Sequence, residues 1–392
     1  METAIARTAF YMTYPFIAIH LAEKSTLNLG GIGAVLSLGP LMSTVISFYI
    51  GYLSDLIGRK AILFMTLILW SLIFLGFSQA STVLEYSLLM AGVGLARGIF
   101  EPVSAALQSD LAQKVDPSGE VKKNSYHLRY FAINIGAGVG PLIGAALVLT
   151  NAKLIFVASS IIYLFSAVLF LAAIYYQRDF LRSIIPSSKN KITFGTVVQT
   201  AIKDKKLLMY LTAYFFISMS LSQIDSTFPL FLNNTFAEEG KLLFARLVSM
   251  NGFIVVLCSL PLLSWSKNFN INIGCFWSTI TWAVGIILFA IGKDPFDYYV
   301  AMVFITLGEI IVFANGYLLI ENLAPEEMKA SYLSTINLSG LGFAVGPVVG
   351  ATLYEWYNVS VALLLMSSFL IFSALIYLKF YYNDLLTPQD VK

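Results

Sequence analysis

Six ionisable side chains interrupt stretches of sequence that are otherwise apolar: Arg7, His20, Arg97, Glu101, Asp225 and Glu309. Charge inside a long apolar helix is expensive, so such residues mark candidate functional positions. Arg97 and Glu101 stand four residues apart, on one helical face, and the spacing predicts that they neutralise each other. A carboxylate with switchable pairing can load and release a proton near neutral pH, because desolvation disfavours its charged form. Glu309 ranks first for that role, then Asp225, then Glu101. Arg7 stands near a span end and is expected to snorkel toward the membrane surface. His20 reads as a hydrated residue at the outer boundary, and His127 as a loop-edge residue.

Aromatic residues are abundant, with 30 Phe, 21 Tyr and 5 Trp. Tyr11, Tyr14, Phe16, Tyr214, Phe215, Phe228, Phe313 and Tyr317 are candidate cavity walls, suited to an amphipathic cation through cation–π contact. Gln223 and Asn315 are candidate hydrogen-bonding partners for a substrate. The mixed set of Arg97, Glu101 and Glu309 also suits a zwitterion or a polyanion. Other chemistries find no support in the residue pattern. Cys258 and Cys275 have no partner at metal-ligand spacing, and both fall in apolar segments. No phosphate-cradling G-x-x-x-x-G-K-[ST] string and no nucleophile–base arrangement occurs. An enzyme, a resident cofactor and a metal are therefore not expected. The net charge of +2 is spread over loops and offers nothing to nucleic acid.

The elements that position these residues follow from composition. Of 392 residues, 58% are hydrophobic and 12% charged, and the mean hydropathy is +0.79. Soluble domains carry about 25% charged residues, so the solvent for this chain is lipid. The apolar runs are continuous over about 20 residues, the length of a spanning helix, and do not alternate as barrel strands do. The expected fold is an all-α polytopic membrane protein with twelve transmembrane helices, at about 4–22, 30–54, 61–80, 83–111, 127–149, 153–176, 207–233, 242–265, 271–292, 297–322, 331–353 and 358–381. No cleavable signal is expected ahead of the first span. The long polar stretch 177–206 divides the chain into six-helix halves, 1–176 and 207–392. Its portion 193–206 is suited to an amphipathic surface helix. Lys and Arg concentrate in the linker and in the short loops on its side of the membrane. Both termini and the linker are therefore expected on the cytoplasmic side of the cytoplasmic (inner) membrane.

The halves repeat each other. Gly136-x-x-x-Gly140-Pro141-x-x-Gly144 recurs as Gly342-x-x-x-Gly346-Pro347-x-x-Gly350. Arg97 and Glu309 stand at the same distance before a Leu-Ala pair in the fourth and tenth spans. Between spans two and three lies Gly51-Tyr52-Leu53-Ser54-Asp55-Leu56-Ile57-Gly58-Arg59-Lys60. There Gly51 permits close helix approach, Gly58 a tight turn, and Arg59 can grip a carboxylate. This string resembles the G-x-L-x-D-x-x-G-R-K signature of the major facilitator superfamily. The span-five pattern resembles that superfamily's antiporter motif.

The resemblance covers the whole chain and is strongest to bacterial twelve-span drug:proton antiporters. It implies two pseudo-symmetric six-helix bundles, with spans one, four, seven and ten lining a cavity. It implies a conformational latch pairing Arg59 with Asp110, which Arg129 joins through Asp55 or Asp110. It implies alternating access in a monomer, driven by protons and without a cofactor, with a small-molecule substrate. Drug:proton antiport is the leading expectation. Proton-coupled uptake of a peptide, siderophore or other metabolite is the alternative, although the first span, Arg7 to Phe16, lacks the E-x-x-E-R-F signature of peptide transporters. A non-transporting sensor or scaffold is a third class; it predicts a large soluble appendage or a degenerate latch, and neither is found.

Overall fold

A computed structural model describes residues 2–116, 120–176, 194–325, 332–333 and 335–386. Every regular element among them is helical. They are α1 (Glu2–Thr13), α2 (Ile17–Lys24), α3 (Leu29–Ile57), α4 (Arg59–Gln79), α5 (Val83–Val115), α6 (Glu120–Thr150) and α7 (Ala152–Tyr176). After the linker come α8 (Phe194–Lys203), α9 (Lys205–Leu221), α10 (Thr227–Ser266), α11 (Ile271–Ile291), α12 (Pro295–Leu323), α13 (Gly340–Trp356) and α14 (Val359–Leu386). Three short 3₁₀ turns, Tyr14–Phe16, Ser222–Asp225 and Thr335–Ser339, adjoin α1, α9 and α13. Lipid leaves backbone groups no outside partner, so a spanning chain closes its hydrogen bonds within helices.

Among the described residues, ten segments are long and apolar enough to cross a membrane. Twelve passes are counted once two irregularities are recognised. The first pass is broken at Pro15, where the 3₁₀ turn separates α1 from α2. The seventh and eighth passes meet in α10, which runs through the expected loop at 234–241 and bends at Ala237, whose φ is +50°. The amphipathic segment expected at 193–206 forms α8 and the start of α9. Asp204 separates these two helices and caps α9, accepting from the Lys206 and Leu207 amides at 2.9 and 3.1 Å.

The described chain divides into two compact units. One comprises residues 1–27, 38–193 and 232–252; the other comprises 28–37, 194–231 and 253–392. Each exchanges a short segment relative to the sequence halves. In the first unit, Lys241 of α10 reaches Glu23 of α2 at 2.6 Å and Glu238 at 2.8 Å. In the second, the Glu355 carboxylate accepts from Asn28 Nδ2 at 2.8 Å and from the Gly30 amide at 2.7 Å. That places an anion at the N-terminus of α3, where the helix dipole favours one.

The repeated glycines build the same joint in each unit. A methyl placed on Gly136, Gly140 or Gly144 of α6 would run into α1, at Arg7–Thr8, at Thr8–Met12 and at Met12–Phe16 in turn. Gly342, Gly346 and Gly350 of α13 meet α9 and its 3₁₀ turn in the same way, at Phe215, at Met219–Ser222 and at Gln223–Thr227. Small residues on one face let helix backbones touch, the usual means of helix association in lipid.

Candidate functional site

The glycine joint fixes the height of Arg7. α6 lies directly on α1 where Gly136 meets Arg7, and Arg129 stands seven residues, about two turns, before Gly136. Glu101 enters from α5, where Pro102 follows it inside the helix. Arg7 Nη2 donates to Glu101 Oε1, and Arg129 Nη2 donates to Glu101 Oε2 at 3.1 Å. Arg129 Nη1 also donates to Ser104 Oγ at 2.9 Å, one turn further along α5. One carboxylate thus joins three helices through two charge-assisted bonds, which are the stronger class of hydrogen bond.

Arg97, one turn before Glu101, lies over the Phe10 ring at 5.6 Å, within cation–π range. Phe10 is itself stacked on Tyr14 and meets Trp70 edge-on. Trp70 stacks on Tyr163. Arg7, Arg97, Glu101, Phe10, Trp70, Phe100 and Tyr163 line a cavity of about 10 Å³. Room of that size admits about one water-sized atom. Arg7 is 8% exposed, and its Nε has no hydrogen-bond partner among the described residues.

Several expectations need correction. Arg7 does not snorkel: the glycine joint and Glu101 hold it inside the bundle. Glu101 accepts from guanidiniums of α1 and α6, two partners on other helices that its four-residue spacing from Arg97 does not name. Arg129, expected at the latch, donates to Glu101 and Ser104. His20 is not hydrated but 5% exposed, packed edge-on against Phe156 and Tyr86, with Tyr86 Oη 3.4 Å from its Nε2.

The latch residues lie where α3 passes into α4. Gly58 has φ +98°, a conformation that favours glycine, and it precedes α4, whose first residues are Arg59 and Lys60. Arg59 Nη1 donates to Asp110 Oδ2 of α5, and the two side chains are 13% and 14% exposed. Gly51 and Asp55 lie in α3, but their side chains fall outside the described residues, as do those of His127 and Tyr317.

In the second unit the expected cavity residues separate. Gln223 is fully buried; its amide donates to Met219 and Gly346 carbonyls at 2.9 and 3.1 Å, and Thr227 donates to its Oε1 at 2.6 Å. It secures the α9–α13 joint and is not open to a substrate. Phe228 is fully buried and stacks on Phe289 at 3.9 Å, so it is core. Phe313 stands half-buried between Tyr214 and Trp282. Asn315 lines a second cavity of about 280 Å³, with Lys267, Ser266 and Leu318. Glu309 is half-buried on α12 beside Gly308, which packs against the Trp282 backbone, and Asp225 ends the 3₁₀ turn after α9, also half-buried. Among the described residues no group of three or more His, Cys, Asp or Glu is placed to hold a metal.

Phe10, Trp70, Phe100 and Tyr163 were not singled out by the sequence reading. One signal pointed to Trp70: tryptophan favours the membrane interface, and Trp70 stands in the middle of its span.

Membrane-spanning helices in two glycine-jointed repeats, with an ion cluster joining α1, α5 and α6, are the architecture of a membrane transporter. The chain matches the family model of the Major Facilitator Superfamily over residues 3–340, and it belongs to that superfamily. It is 26% identical to the uncharacterized MFS-type transporter YqjV of Bacillus subtilis, covering 91% of this chain and 85% of that one. It is 24% identical to a Na(+), Li(+), K(+)/H(+) antiporter of Planococcus maritimus, over 98% of this chain and 95% of that one. The crystal structure of the nucleoside transporter NupG superposes with a TM-score of 0.80 at 12% identity, covering 97% of each chain, a likeness of fold.

Proposed function

We propose that this protein is a proton-coupled secondary transporter of the cytoplasmic membrane, working as a monomer by alternating access and exporting an amphipathic small molecule in exchange for protons. The observation that carries the reading is Glu101, a carboxylate that is 36% exposed and is gripped by Arg7 and Arg129 from two other helices. An ionisable group within a membrane span is a candidate for coupling, and partial exposure leaves it reachable by protons. When Glu101 takes a proton on one carboxylate oxygen, it loses its charge, and the grip on two guanidiniums weakens together. A change of charge then becomes a change in how α1, α5 and α6 are tied. Glu309 and Asp225 are the carboxylates of the second unit available for the same duty, with the proton gradient as energy source and no cofactor needed. The exchange direction is supported by the likeness to a cation/proton antiporter across nearly the full chain.

The excess of arginine favours a second reading. An anionic substrate would compete with Glu101 for the same guanidiniums. A proton on Glu101 and an anion on the arginines would then bind together, the order of events in proton-coupled uptake. Purified protein in proteoliposomes with an imposed pH gradient tests both. Substrate accumulation against its gradient on the acidic side supports antiport, and accumulation on the alkaline side supports uptake. Equal distribution with and without the pH gradient, for a substrate that exchanges, would refute proton coupling.

A further inference from the structure

We infer that the cavity at the end of α10 holds an anionic phospholipid, with its phosphate head on Lys267 and the upper part of one acyl chain between α10, α11 and α12. This goes beyond the transport reading and requires neither proton coupling nor a substrate. It starts from a difference between the repeats. In the first unit Arg59 and Asp110 tie the start of α4 to the end of α5. Asp110 stands 13 residues after Arg97, and 13 residues after Glu309 stands Asn322, which carries no charge. Lys267, between α10 and α11, is the cation at the matching turn of the second unit. It forms no ion pair among the described residues, and Glu321, beside Asn322, is exposed and does not pair with it. No Asp or Glu occurs between Lys241 and Lys293. This end of α10 and α11 therefore offers a positive charge without the carboxylate that its counterpart has.

The surroundings make the missing anion a lipid. The cavity measures about 280 Å³, near the lower bound of about 300 Å³ for small-molecule pockets. Leu263, Ile271, Ala314 and Leu318 give it apolar walls, and Asn315, nine-tenths buried, closes it inside. Lys267 and Phe269, both exposed, stand at its mouth. Trp265, 57% exposed, meets Phe269 edge-on at 4.8 Å, and tryptophan on a membrane protein's surface favours the headgroup level. Tyr210 Oη, near the start of α9, donates to Asn272 Oδ1 at 2.6 Å. The mouth thus lies at the same end of the unit as Lys205 and Lys206, the first residues of α9. Basic pockets of this kind between spanning helices take the phosphate heads of anionic lipids. A small free anion would use Lys267 and leave the apolar walls bare. A cationic amphiphile would face Lys267 with no carboxylate to offset it.

The test uses full-length protein in detergent and four probes: phosphatidylglycerol, phosphatidylcholine with the same chains, glycerol phosphate and inorganic phosphate. Native mass spectrometry counts the lipids retained, and thermal shift reads stabilisation. Phosphatidylglycerol is expected to be retained in preference to phosphatidylcholine and to raise Tm, and neither soluble phosphate should do so. Lys267→Gln should reduce the preference about fivefold, the effect of one lysine at a membrane surface, and Lys267→Arg should restore it. Ala314→Phe keeps the lysine but fills the cavity, and it should lower phosphatidylglycerol retention with unfolding still cooperative. Lys293→Gln, beyond the far end of α11, should leave the preference unchanged. Equal retention of the two lipids would overturn the inference, as would a preference that survives Lys267→Gln or full retention in Ala314→Phe. Stabilisation by inorganic phosphate equal to that by phosphatidylglycerol would overturn it too, because the site would then serve a soluble anion. None of these readouts involves transport, so their failure leaves the exchange reading standing, and failure of pH-driven transport leaves the lipid site standing.

Discussion

Alanine at Gly140 and alanine at Gly274 should move stability in opposite directions. Both glycines lie inside helices, where replacement by alanine restricts the unfolded chain and gains about 0.5–1 kcal/mol. If propensity ruled, both changes would stabilise. At Gly274 the nearest atoms to a new methyl are Asn315 Nδ2 and Ile311 Cγ2, each at 3.9 Å, so ordinary contact is the only consequence. At Gly140 the methyl would stand 2.8 Å from Met12 N, 2.8 Å from Thr8 O and 3.0 Å from Tyr11 C. All three are backbone atoms of α1 and cannot rotate away. Forced overpacking costs about 1–3 kcal/mol, which exceeds the propensity gain and leaves a net loss on the order of 1–2 kcal/mol. For a domain of this size that is a fall in Tm of about 2–8 °C. Gly274→Ala should leave Tm unchanged or raise it by about 1–4 °C. Thermal unfolding of the two purified variants in one detergent measures the difference. A rise in Tm for Gly140→Ala, or shifts of the same sign for both, would refute the claim that α1 and α6 touch backbone to backbone.

Other expectations follow from individual contacts. Glu309→Gln should abolish pH-driven accumulation while substrate exchange persists, and wild-type pH dependence in that variant would exclude Glu309 as the proton carrier. Arg59→Lys keeps the charge facing Asp110 but loses the planar fork; turnover should fall while ligand affinity, measured by calorimetry, holds, and unchanged turnover would remove the pair from the mechanism. Lys241→Met leaves Glu23 and Glu238 without their shared cation, yet these carboxylates are 32% and 67% exposed. Water screens them, so the loss should be only about 1 kcal/mol in chemical denaturation; a loss of about 4 kcal/mol would mean that water does not reach the pair.

Much of the scaffold was legible because its causes are local. Continuous apolar runs bounded the spans, and the glycine spacing of four marked a smooth helix face in both repeats. Gly58 announced a turn that only a positive φ completes. The Arg59–Asp110 pairing came from a resemblance, and the structure places the two side chains together. What was not legible depends on which helix lies opposite. Periodicity assigns a residue to a face but does not name the partner across it. Glu101 was therefore matched to Arg97 on its own helix, while partners that periodicity does not name lie 94 residues earlier on α1 and 28 later on α6. Gln223 failed for a related reason. An amide in an apolar span looks like a substrate contact until the glycine of a neighbouring helix, Gly346, presents a carbonyl to it. The break at Pro15 and the continuous helix through 234–241 show the same limit at element ends, where packing decides between a loop and a bend.

The two repeats conserve their joints and diverge in their charges, and the pattern bears on how the chain works. Each glycine of α6 has its counterpart in α13, and each set meets the opening segment of its own repeat: Gly140 and Gly342 meet backbone, Gly350 the Gln223 and Thr227 side chains. Neither joint has room for a larger side chain. Arg97 and Glu309 occupy matching positions with opposite charge, and neither contributes to those joints. Positions outside the joints differ in charge between the repeats. The first unit holds arginines around a single carboxylate, and the second holds Asp225 and Glu309 in its spans. If that division is functional, exchanging the pair, Arg97→Glu with Glu309→Arg, should preserve folding, since the joints are untouched, yet abolish pH-driven transport in proteoliposomes. A doubly exchanged protein that folds and still transports as wild type would show that the charges are incidental to the site. One that fails to fold would show instead that the charges are part of the packing.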